Sequence, residues 1–250
     1  MKKFTFLSLV ILAFAGKTVL AQDGVDIESK GFRFGLKAEP SIVWIKPEDS
    51  KKYESGGARM KFAYGLITEF KLGNTASFVT GLEATYSGGK INFKEDSIYY
   101  VTDEQDSLFI SSRKFNTTYV GIPIALKMKT PDIGGFTYFG MFGINTAFKT
   151  KARSEDVGVL KGTTSETTQT GVDISKDVNF MRFDLKVGGG FEYNLAGTTS
   201  LLVSINYHNG LTNVFTNDSK MLRTIVDNAS TPAKQDAKSS YISLTVGILF

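Results

Sequence analysis

Apolar and polar residues alternate along eight segments of the chain. From Met181 to Tyr193, for example, every second residue is apolar apart from one glycine, and the residues between them are charged or glycine. A period of two residues is typical of a β-strand with one apolar face. Most of the segments reach the roughly 9–11 residues that a tilted strand needs to cross a membrane. The eight segments cover residues 31–45, 59–72, 77–87, 116–129, 136–148, 180–195, 200–211 and 239–250.

Two of these segments depart from the plain pattern. Residues 136–148 carry Phe139 and Met141 on the face opposite Tyr138, so the alternation leaves open which face of the fifth strand points inward. Pro123 interrupts the fourth segment, and proline within a strand is confined to edges and bulges. Because a closed barrel has no edge, we expect Pro123 to lie at a bulge and to face inward.

The connections between the segments alternate in length. Short turns rich in Gly, Pro, Asn and Asp lie within residues 72–75, 130–135 and 194–198. Long polar connections lie at about residues 46–58, 91–111, 150–177 and 215–237. This alternation is typical of outer-membrane barrels, whose short turns are periplasmic. The second and fourth long connections mix apolar with charged residues, which fits both strand extensions beyond the membrane and contact with a partner.

The positions of the aromatic residues distinguish a membrane barrel from a soluble one, since both share the alternating pattern. With strand directions assigned from the loop lengths, the outward aromatic residues lie near the two rims, with Leu, Ile, Val and Ala between them. Two such girdles are typical of transmembrane barrels. We therefore predict an all-β fold, an eight-stranded antiparallel up-and-down transmembrane β-barrel. The predicted girdles comprise Phe32, Phe34, Phe70, Phe78, Phe191 and Tyr193 at the short-turn rim, and Trp44, Phe62, Tyr64, Tyr86 and Tyr207 at the long-loop rim.

The opposite face of the strands is rich in glycine and carries charges of both signs. The interior of an eight-stranded barrel is filled by side chains, and charges buried there must be paired. We therefore expect a lumen of ion pairs and waters without an open channel. Lys71 is assigned to the same face. The predicted lumen network comprises Arg33, Lys37, Glu39, Glu69, Glu83, Lys127, Arg182, Asp184, Lys186 and Glu192.

The first 21 residues have the three parts of a secretory signal peptide. Lys2 and Lys3 are basic, residues 4–15 are mainly apolar, and small residues precede a cleavage site after Ala21. The apolar run is shorter than the roughly 20 residues that a membrane-spanning helix needs. The predicted organisation is a signal peptide at residues 1–21 and an outer-membrane barrel domain at residues 22–250.

Composition narrows the class of protein further. The sequence has no cysteine, so the exported chain has neither a disulfide nor a thiol for lipid attachment. Of its 29 Lys and Arg residues, Lys2, Lys3 and Lys17 fall in the predicted signal peptide, which leaves 26 against 25 acidic residues. This balance gives no basis for nucleic-acid binding. The mean hydropathy of −0.06 is ordinary, as expected for strands that alternate lipid-facing and lumen-facing residues.

Candidate catalytic chemistry is sparse. His208 is the only histidine, and a barrel hydrolase needs a histidine within hydrogen-bond reach of Ser or Asp. Ser204 shares its face but is four residues away, about 13 Å along a strand, so only a cross-strand partner would serve. One histidine and no cysteine exclude the usual zinc sites. We expect no catalytic residue, metal or cofactor, and we assign the glycines at 188–190 to the relief of crowding in the barrel wall.

The sequence YVGIPIALK, residues 119–127, resembles the PorT-like family of outer-membrane barrels, which carries Tyr-x-x-Ile-Pro-apolar-x-x-Lys in its fourth strand. Residues 184–192, YHNGLTN at 207–213 and LTVGILF at 244–250 agree with the resemblance. It implies an eight-stranded barrel of OmpA/OmpX-like architecture. Founding members are associated with protein secretion and gliding, but the motifs mark the fold family and not one activity. Gly121 and Asn206 depart from the family, where an acidic residue and an arginine are common.

The chain ends on Phe250, at the end of an alternating strand. Resemblance to outer-membrane proteins in general implies that this residue is the signal read by the barrel-assembly machinery. The expected function is that of a non-enzymatic outer-membrane barrel with a structural or binding role, or a component of a secretion-type assembly. The expected partners are outer-membrane lipids, the assembly machinery and a protein at the long loops, and no nucleic acid. The alternatives are a barrel hydrolase acting on lipid or peptide, and a soluble periplasmic barrel that binds an apolar ligand.

Overall fold

The computed structural model describes residues 31–94, 98–101, 107–160, 162–226 and 229–250, so the predicted signal peptide lies outside the described residues. These ranges contain no helix that is long and apolar enough to cross a membrane. The described residues form thirteen β-strands. Their bounds are β1 Phe32–Pro47, β2 Tyr53–Ser55, β3 Arg59–Lys71, β4 Ala76–Phe93, β5 Ile98–Val101, β6 Ser107–Lys129, β7 Phe136–Leu160, β8 Glu166–Asp173, β9 Met181–Ala196, β10 Thr199–Asn213, β11 Leu222–Val226, β12 Ala229–Pro232 and β13 Ala237–Leu249.

Eight of the strands form a ring of antiparallel pairs. The order is β1, β3, β4, β6, β7, β9, β10 and β13, and β13 pairs again with β1. Cross-strand partners followed once around the ring from Phe34 lead to Trp44, ten residues further along the same strand. The partners on this path are Thr68, Thr80, Ile124, Ile144, Leu185, Asn209 and Ser240.

This stagger determines the tilt of the strands. With about 3.3 Å per residue and about 4.8 Å between strands, ten residues over eight strands give a tilt of about 40°. Small barrels have tilts of this size. The predicted eight strands and their up-and-down order are confirmed, and the three short turns lie where the sequence placed them.

The alternation along each strand separates an exposed outer face from a buried inner face. In β1, Leu36 is 60% exposed, whereas its neighbour Lys37 is buried. The structure also resolves the fifth predicted strand, β7, because Phe139 and Met141 are buried inside the ring while Tyr138 lies on the outer face. An apolar outer face around a charged interior contradicts the alternative of a soluble barrel that encloses an apolar ligand.

Two placements expected from the sequence are wrong. Pro123 is buried and faces inward, but no bulge occurs there, since the pairs of Thr80 with Ile124 and of Glu83 with Gly121 share one register. The ladder between β4 and β6 has no residue pairs between these two. Proline, which has no N–H to donate, therefore fits there without the extra residue of a bulge. Lys71 is exposed, because it is the last residue of β3, where the barrel wall ends.

Strands also fill much of the long connections. β4, β6 and β7 continue beyond the ring, β2 pairs with β4, and β8 pairs with β7. β5 joins β6 to β11, and β11 pairs with β12. We call this assembly the cap: strands β2, β5, β8, β11 and β12, the long-loop ends of β4, β6 and β7, and the described residues that connect them. The structure therefore supports strand extensions in these segments.

Candidate functional site

The lowest layer of the lumen joins three cations to two carboxylates. Arg33 Nη2 lies 3.0 Å from Glu69 Oε2 and 2.6 Å from Glu192 Oε2. Lys127 contacts both carboxylates as well, with Nζ 3.2 Å from Glu69 Oε2. Lys129 also contacts both. Because these residues come from β1, β3, β6 and β9, the layer links strands on different sides of the barrel.

The middle layer is built around Glu39 and Glu83. Lys37 Nζ lies 3.1 Å from Glu39 Oε2 and 2.6 Å from Glu83 Oε2. Asn145 Nδ2 donates to Glu83 Oε1 at 2.6 Å, and Ser243 Oγ donates to Glu39 Oε1 at 2.6 Å. Each carboxylate therefore has both a cation and a neutral donor, as a buried charge requires.

The upper layer contains aromatic residues in addition to charges. Arg182 Nε lies 2.9 Å from Asp184 Oδ2, and its guanidinium lies 4.5 Å from the centre of the Tyr119 ring. The Tyr241 hydroxyl reaches Asp184 Oδ2 at 3.5 Å, and the Tyr241 ring stacks on His208 with centroids 4.0 Å apart and an angle of 10°. A planar stack of this kind fixes the imidazole in the lumen.

The surroundings of His208 differ from those of a catalytic histidine. Ser243 Oγ and Glu39 Oε1 both lie 3.3 Å from the same ring nitrogen, Nε2, and Nδ1 makes no hydrogen bond with any described residue. In a Ser-His-Asp triad the hydroxyl and the carboxylate occupy opposite nitrogens of the ring. Ser204, the candidate on the same strand, hydrogen-bonds Asn206 instead.

The predicted lumen residues all face the interior, and the structure adds one charged residue that the sequence analysis omitted. Lys129 has the same alternation as Lys127, so continuing the pattern by two residues would have identified it. With it, the lumen holds six cations and five carboxylates. Lys186 is buried but makes no ion pair among the described residues, and Glu39 and Glu83 are carboxylates that interact electrostatically with it. The side chains, including Phe139 beneath Lys127, leave only a cavity of about 20 Å³, which Lys37, Met141 and Lys186 help to line.

Gly121 and Asn206, the two departures from the PorT-like pattern, have different neighbours in the lumen. A Cβ at Gly121 would lie 3.1 Å from Glu83 and 3.2 Å from Asn145, so an acidic side chain would crowd a carboxylate there. Asn206 donates to Ser204 Oγ at 3.2 Å and to Thr245 Oγ1 at 2.9 Å.

The cap has an apolar core of its own, which the sequence analysis did not predict. Residues from all four long connections contribute, and Phe115 packs edge-on against Phe215 with ring centroids 5.0 Å apart. The core closes the upper end of the lumen. Its buried members are Ile45, Tyr53, Ile91, Phe93, Leu108, Ile110, Phe115, Ala152, Ile174, Val178, Val214, Phe215, Leu222, Ala233 and Ala237.

Buried polar contacts attach the connections of the cap to the strands. Arg113 donates to both carboxylate oxygens of Asp156, through Nε at 2.9 Å and Nη2 at 3.1 Å, and both side chains are fully buried. Asp177 lies 4.0 Å from Arg113 and accepts hydrogen bonds from Ser219 Oγ at 2.5 Å and from the Lys220 backbone N–H at 2.6 Å. The third and fourth long connections are therefore joined through one buried charge cluster.

The aromatic residues assigned to the girdles lie on the outer surface in two groups. At the short-turn rim, the ring of Phe32 lies 5.2 Å from that of Phe70, and Phe34 lies 5.6 Å from Phe250. At the other rim, Trp44 stacks on Tyr207 at 6.4 Å. Further contacts join Phe70 to Phe78, Tyr64 to Phe62 and Tyr86, and Phe136 to Phe191 and Tyr193.

The two groups are separated by the thickness of a membrane. Phe34 and Trp44 are ten residues apart on β1, which at a tilt of about 40° corresponds to about 25 Å along the barrel axis. The outward apolar band of a transmembrane barrel has about this height. A sequence profile described as "Outer membrane protein beta-barrel domain" matches residues 21–216, more than three quarters of the chain. The chain belongs to this family.

The protein is therefore an outer-membrane barrel, and the prediction of a transmembrane fold is confirmed. In outer-membrane barrels generally, the short turns are periplasmic and the long loops are extracellular. A comparison with curated proteins found no match.

Several solved outer-membrane proteins are similar to the chain at low identity. Neisserial surface protein A is 12% identical, with 87% of this chain and 96% of that chain covered and a TM-score of 0.40. Ail, the attachment invasion locus protein of Yersinia pestis, in complex with the heparin analogue sucrose octasulfate, is 12% identical, with 88% and 99% covered and a TM-score of 0.37. OprG from Pseudomonas aeruginosa is 12% identical, with 86% and 96% covered and a TM-score of 0.39.

Proposed function

We propose that this chain is a non-enzymatic, non-conducting outer-membrane barrel that presents its cap as a rigid binding surface to a protein partner. The observation that carries the proposal is the apolar core of the cap, which draws residues from all four long connections. Connections that only join strands need no shared core. Loops fixed on a rigid scaffold are where binding residues are found.

The filled lumen supports the non-conducting part of the proposal. Glu69 and Lys127 are fully buried, and Glu192 is 5% exposed, so the lowest layer crosses the barrel as a packed ion-pair cluster. The cap core lies above the lumen as a second obstruction. Eight-stranded barrels have interiors just wide enough for side chains to fill.

The contacts of His208 support the non-enzymatic part. Its hydroxyl and carboxylate neighbours share Nε2, so Glu39 is not placed to orient the ring for proton transfer from Ser243. The side chain is also 2% exposed, within the membrane-spanning part of the barrel. The hydrolase alternative has no other histidine to use.

The PorT-like resemblance favours an assembly as the partner. Residues 119–127, which carry the main motif, lie in β6, the strand that continues into the cap through Phe115 and Arg113. On this proposal the motif strand links the membrane barrel to the binding surface. The resemblance suggests that the partner belongs to a secretion-type assembly.

A groove of about 740 Å³ between the first and fourth long connections is a suitable place to detect the partner. Lys51 and Lys234 line it and are exposed, and Tyr53 donates a hydrogen bond to the Lys234 carbonyl across it. A photo-crosslinking amino acid placed at either lysine in whole cells should give a defined cross-linked product. The same amino acid at Asn74, in a periplasmic turn, is the control and should not give that product.

A Phe215→Ala variant makes this experiment specific to the cap. It removes a ring that is 1% exposed and packs on Phe115, so it should loosen the cap while the barrel stays folded. We expect it to abolish the cross-linked product but to keep the heat-dependent gel shift of the barrel. No product from either lysine, or the same product from position 74, would contradict the proposal.

A further inference from the structure

The outer surface just above the upper girdle carries a group of cations on adjacent strands. On β7, Lys151 and Arg153 are exposed, and they alternate with Ala152 and Ser154, which are buried. Their side chains therefore point away from the barrel interior, toward the surrounding membrane surface.

The neighbouring strands add cations to the same face. Lys90 on β4 is the direct cross-strand partner of Lys114 on β6. Lys61 on β3 donates to Asn116 Oδ1 at 2.5 Å, and Asn116 is the cross-strand partner of Arg153. We call these five residues the basic patch: Lys61, Lys90, Lys114, Lys151 and Arg153.

The patch has fewer carboxylates than cations. Glu155 lies 3.1 Å from Lys114, and Asp173 is the cross-strand partner of Arg153. Hydrogen bonds from the Ser175 side chain and backbone lower the pKa of Asp173, so this group is ionised near neutral pH. Among the described residues, five cations against two carboxylates leave a net charge of +3.

Like charges directly opposite each other on adjacent strands destabilise a sheet. Lys90 and Lys114 are such a pair, and Glu155 compensates only one of the two charges. The opposed lysines Lys46 and Lys238 have one carboxylate, since Glu48 Oε1 lies 2.9 Å from Lys238 Nζ. Lys114 likewise has Glu155, but among the described residues Lys90 and Lys151 make no ion pair. An anion from outside the protein would compensate the positive charge of the basic patch in the same way.

The height of the patch identifies the source of that anion. Tyr86 marks the upper girdle on β4, and Lys90 lies four residues beyond it. At a tilt of about 40°, four residues rise about 10 Å along the barrel axis. In a tilted barrel, each move from a residue to its partner on the next strand also rises about 3 Å along the barrel axis. Lys151 is two such moves from Tyr86, so it lies about 6 Å above Tyr86. Lipid headgroups extend about 5–8 Å beyond the hydrocarbon, within reach of these long side chains.

We infer that the basic patch binds the phosphate groups of an anionic lipid in the outer leaflet. Arginine and lysine are the side chains that bind phosphate, through charge-assisted hydrogen bonds. The aromatic and aliphatic residues below the patch contact the acyl chains of the same lipid, so the site recognises a membrane lipid and not a phosphate free in solution.

The test uses the folded protein in vesicles of phosphatidylcholine and phosphatidic acid, followed by transfer into neutral detergent and native mass spectrometry. The wild type should retain phosphatidic acid in preference to phosphatidylcholine. A K114Q/K151Q/R153Q variant should lose most of this preference. A K51Q/K234Q variant, which loses charge from the cap groove away from the membrane, should keep it.

Three outcomes would overturn the inference. The wild type would retain both lipids equally, the control variant would lose the preference as fully as the patch variant, or millimolar inorganic phosphate would displace the lipid completely. The last outcome would assign the patch to free phosphate. The heat-dependent gel shift of each variant verifies that the barrel is folded. A K151E/R153E variant provides a second measurement and should reject phosphatidic acid more strongly.

Discussion

The backbone N–H of Phe250 donates a hydrogen bond to the Phe34 carbonyl at 2.7 Å, and the rings of the two residues lie 5.6 Å apart. The last residue therefore continues the ladder between β13 and β1 and joins the aromatic group at the periplasmic rim. Resemblance to outer-membrane proteins implies that the assembly machinery reads the same residue, and experiment can separate this expected role from the structural one.

Replacing Phe250 with alanine should affect assembly in cells more than stability in detergent. The backbone hydrogen bond is kept, so the free energy of unfolding should fall by only about 1 kcal/mol, the value of an aromatic contact. The amount of folded barrel in the outer membrane should fall sharply. Phe32→Ala, which removes another aromatic of the same rim, is the control. Equal losses in cells for both variants would refute a special role for the last residue.

Replacing Arg113 with methionine should unfold the cap and leave the barrel intact. The change leaves Asp156 and Asp177 buried without their cation, which costs about 3–5 kcal/mol. Limited proteolysis should then cut the third and fourth long connections while the heat-dependent gel shift persists. Lys114→Met, which breaks a half-exposed pair with Glu155, should cost about 0–1 kcal/mol and leave the cap resistant. A protease-resistant cap in the Arg113 variant would show that this cluster does not hold it.

Replacing Lys127 with methionine should destabilise the barrel itself. Glu69 and Glu192 would keep Arg33 and Lys129, but each would lose a buried partner. We therefore expect the free energy of unfolding to fall by about 3 kcal/mol. Urea unfolding in detergent, followed by tryptophan fluorescence, measures it. Lys71→Met is the matched control, because Lys71 is exposed and outside the network. Equal midpoints for the two variants would argue against a structural role for the lowest layer.

Replacing His208 with alanine should change stability and leave hydrolysis unaffected. The variant loses the stack with Tyr241 and the contact with Glu39, which together should cost about 1–3 kcal/mol. Neither the wild type nor the variant should cleave ester, lipid or peptide reporters above background. Hydrolysis by the wild type that disappears in the variant would restore the hydrolase hypothesis.

Replacing Gly190 with alanine should block folding, whereas the same change at Gly140 should be tolerated. A Cβ at Gly190 would lie 2.0 Å from the Val203 carbonyl oxygen and 2.6 Å from Ser204 Cα, so the neighbouring strand would have to move. A Cβ at Gly140 would meet nothing within 4 Å on the lipid-facing surface. The yield of the fast-migrating, unboiled band after refolding compares the two. Similar yields would mean that the wall can widen at this point.

The period of two predicted most of what lies in the membrane, because it assigns each residue to one of two faces regardless of distant contacts. It did not predict which charges pair. Glu69 and Glu192 share their three cations only because β3 and β9 are brought together by the stagger of the whole ring. Which face of β7 points inward required the same information, since Phe139 and Tyr138 are both aromatic and either can lie on the outer face.

The cap was missed for a different reason. Its core residues come in short runs, such as Ile91 with Phe93 and Leu108 with Ile110, and polar stretches lie between the runs. Each run is too short to suggest a buried surface. The core exists only because four connections meet above one barrel. Arg113 lies before the fourth predicted segment, although Arg113 and Phe115 share the buried face and so continue the pattern of that strand.

The central claim is that the extracellular connections form an ordered cap. Hydrogen–deuterium exchange of the protein in detergent micelles tests it most directly. The backbone N–H groups of Val214 and Leu222 hydrogen-bond within the cap, to the Ala237 carbonyl and the Ser219 hydroxyl. We predict that peptides covering these residues exchange nearly as slowly as the strands of the barrel. Complete exchange within seconds, with the barrel still protected, would show flexible loops and contradict the account.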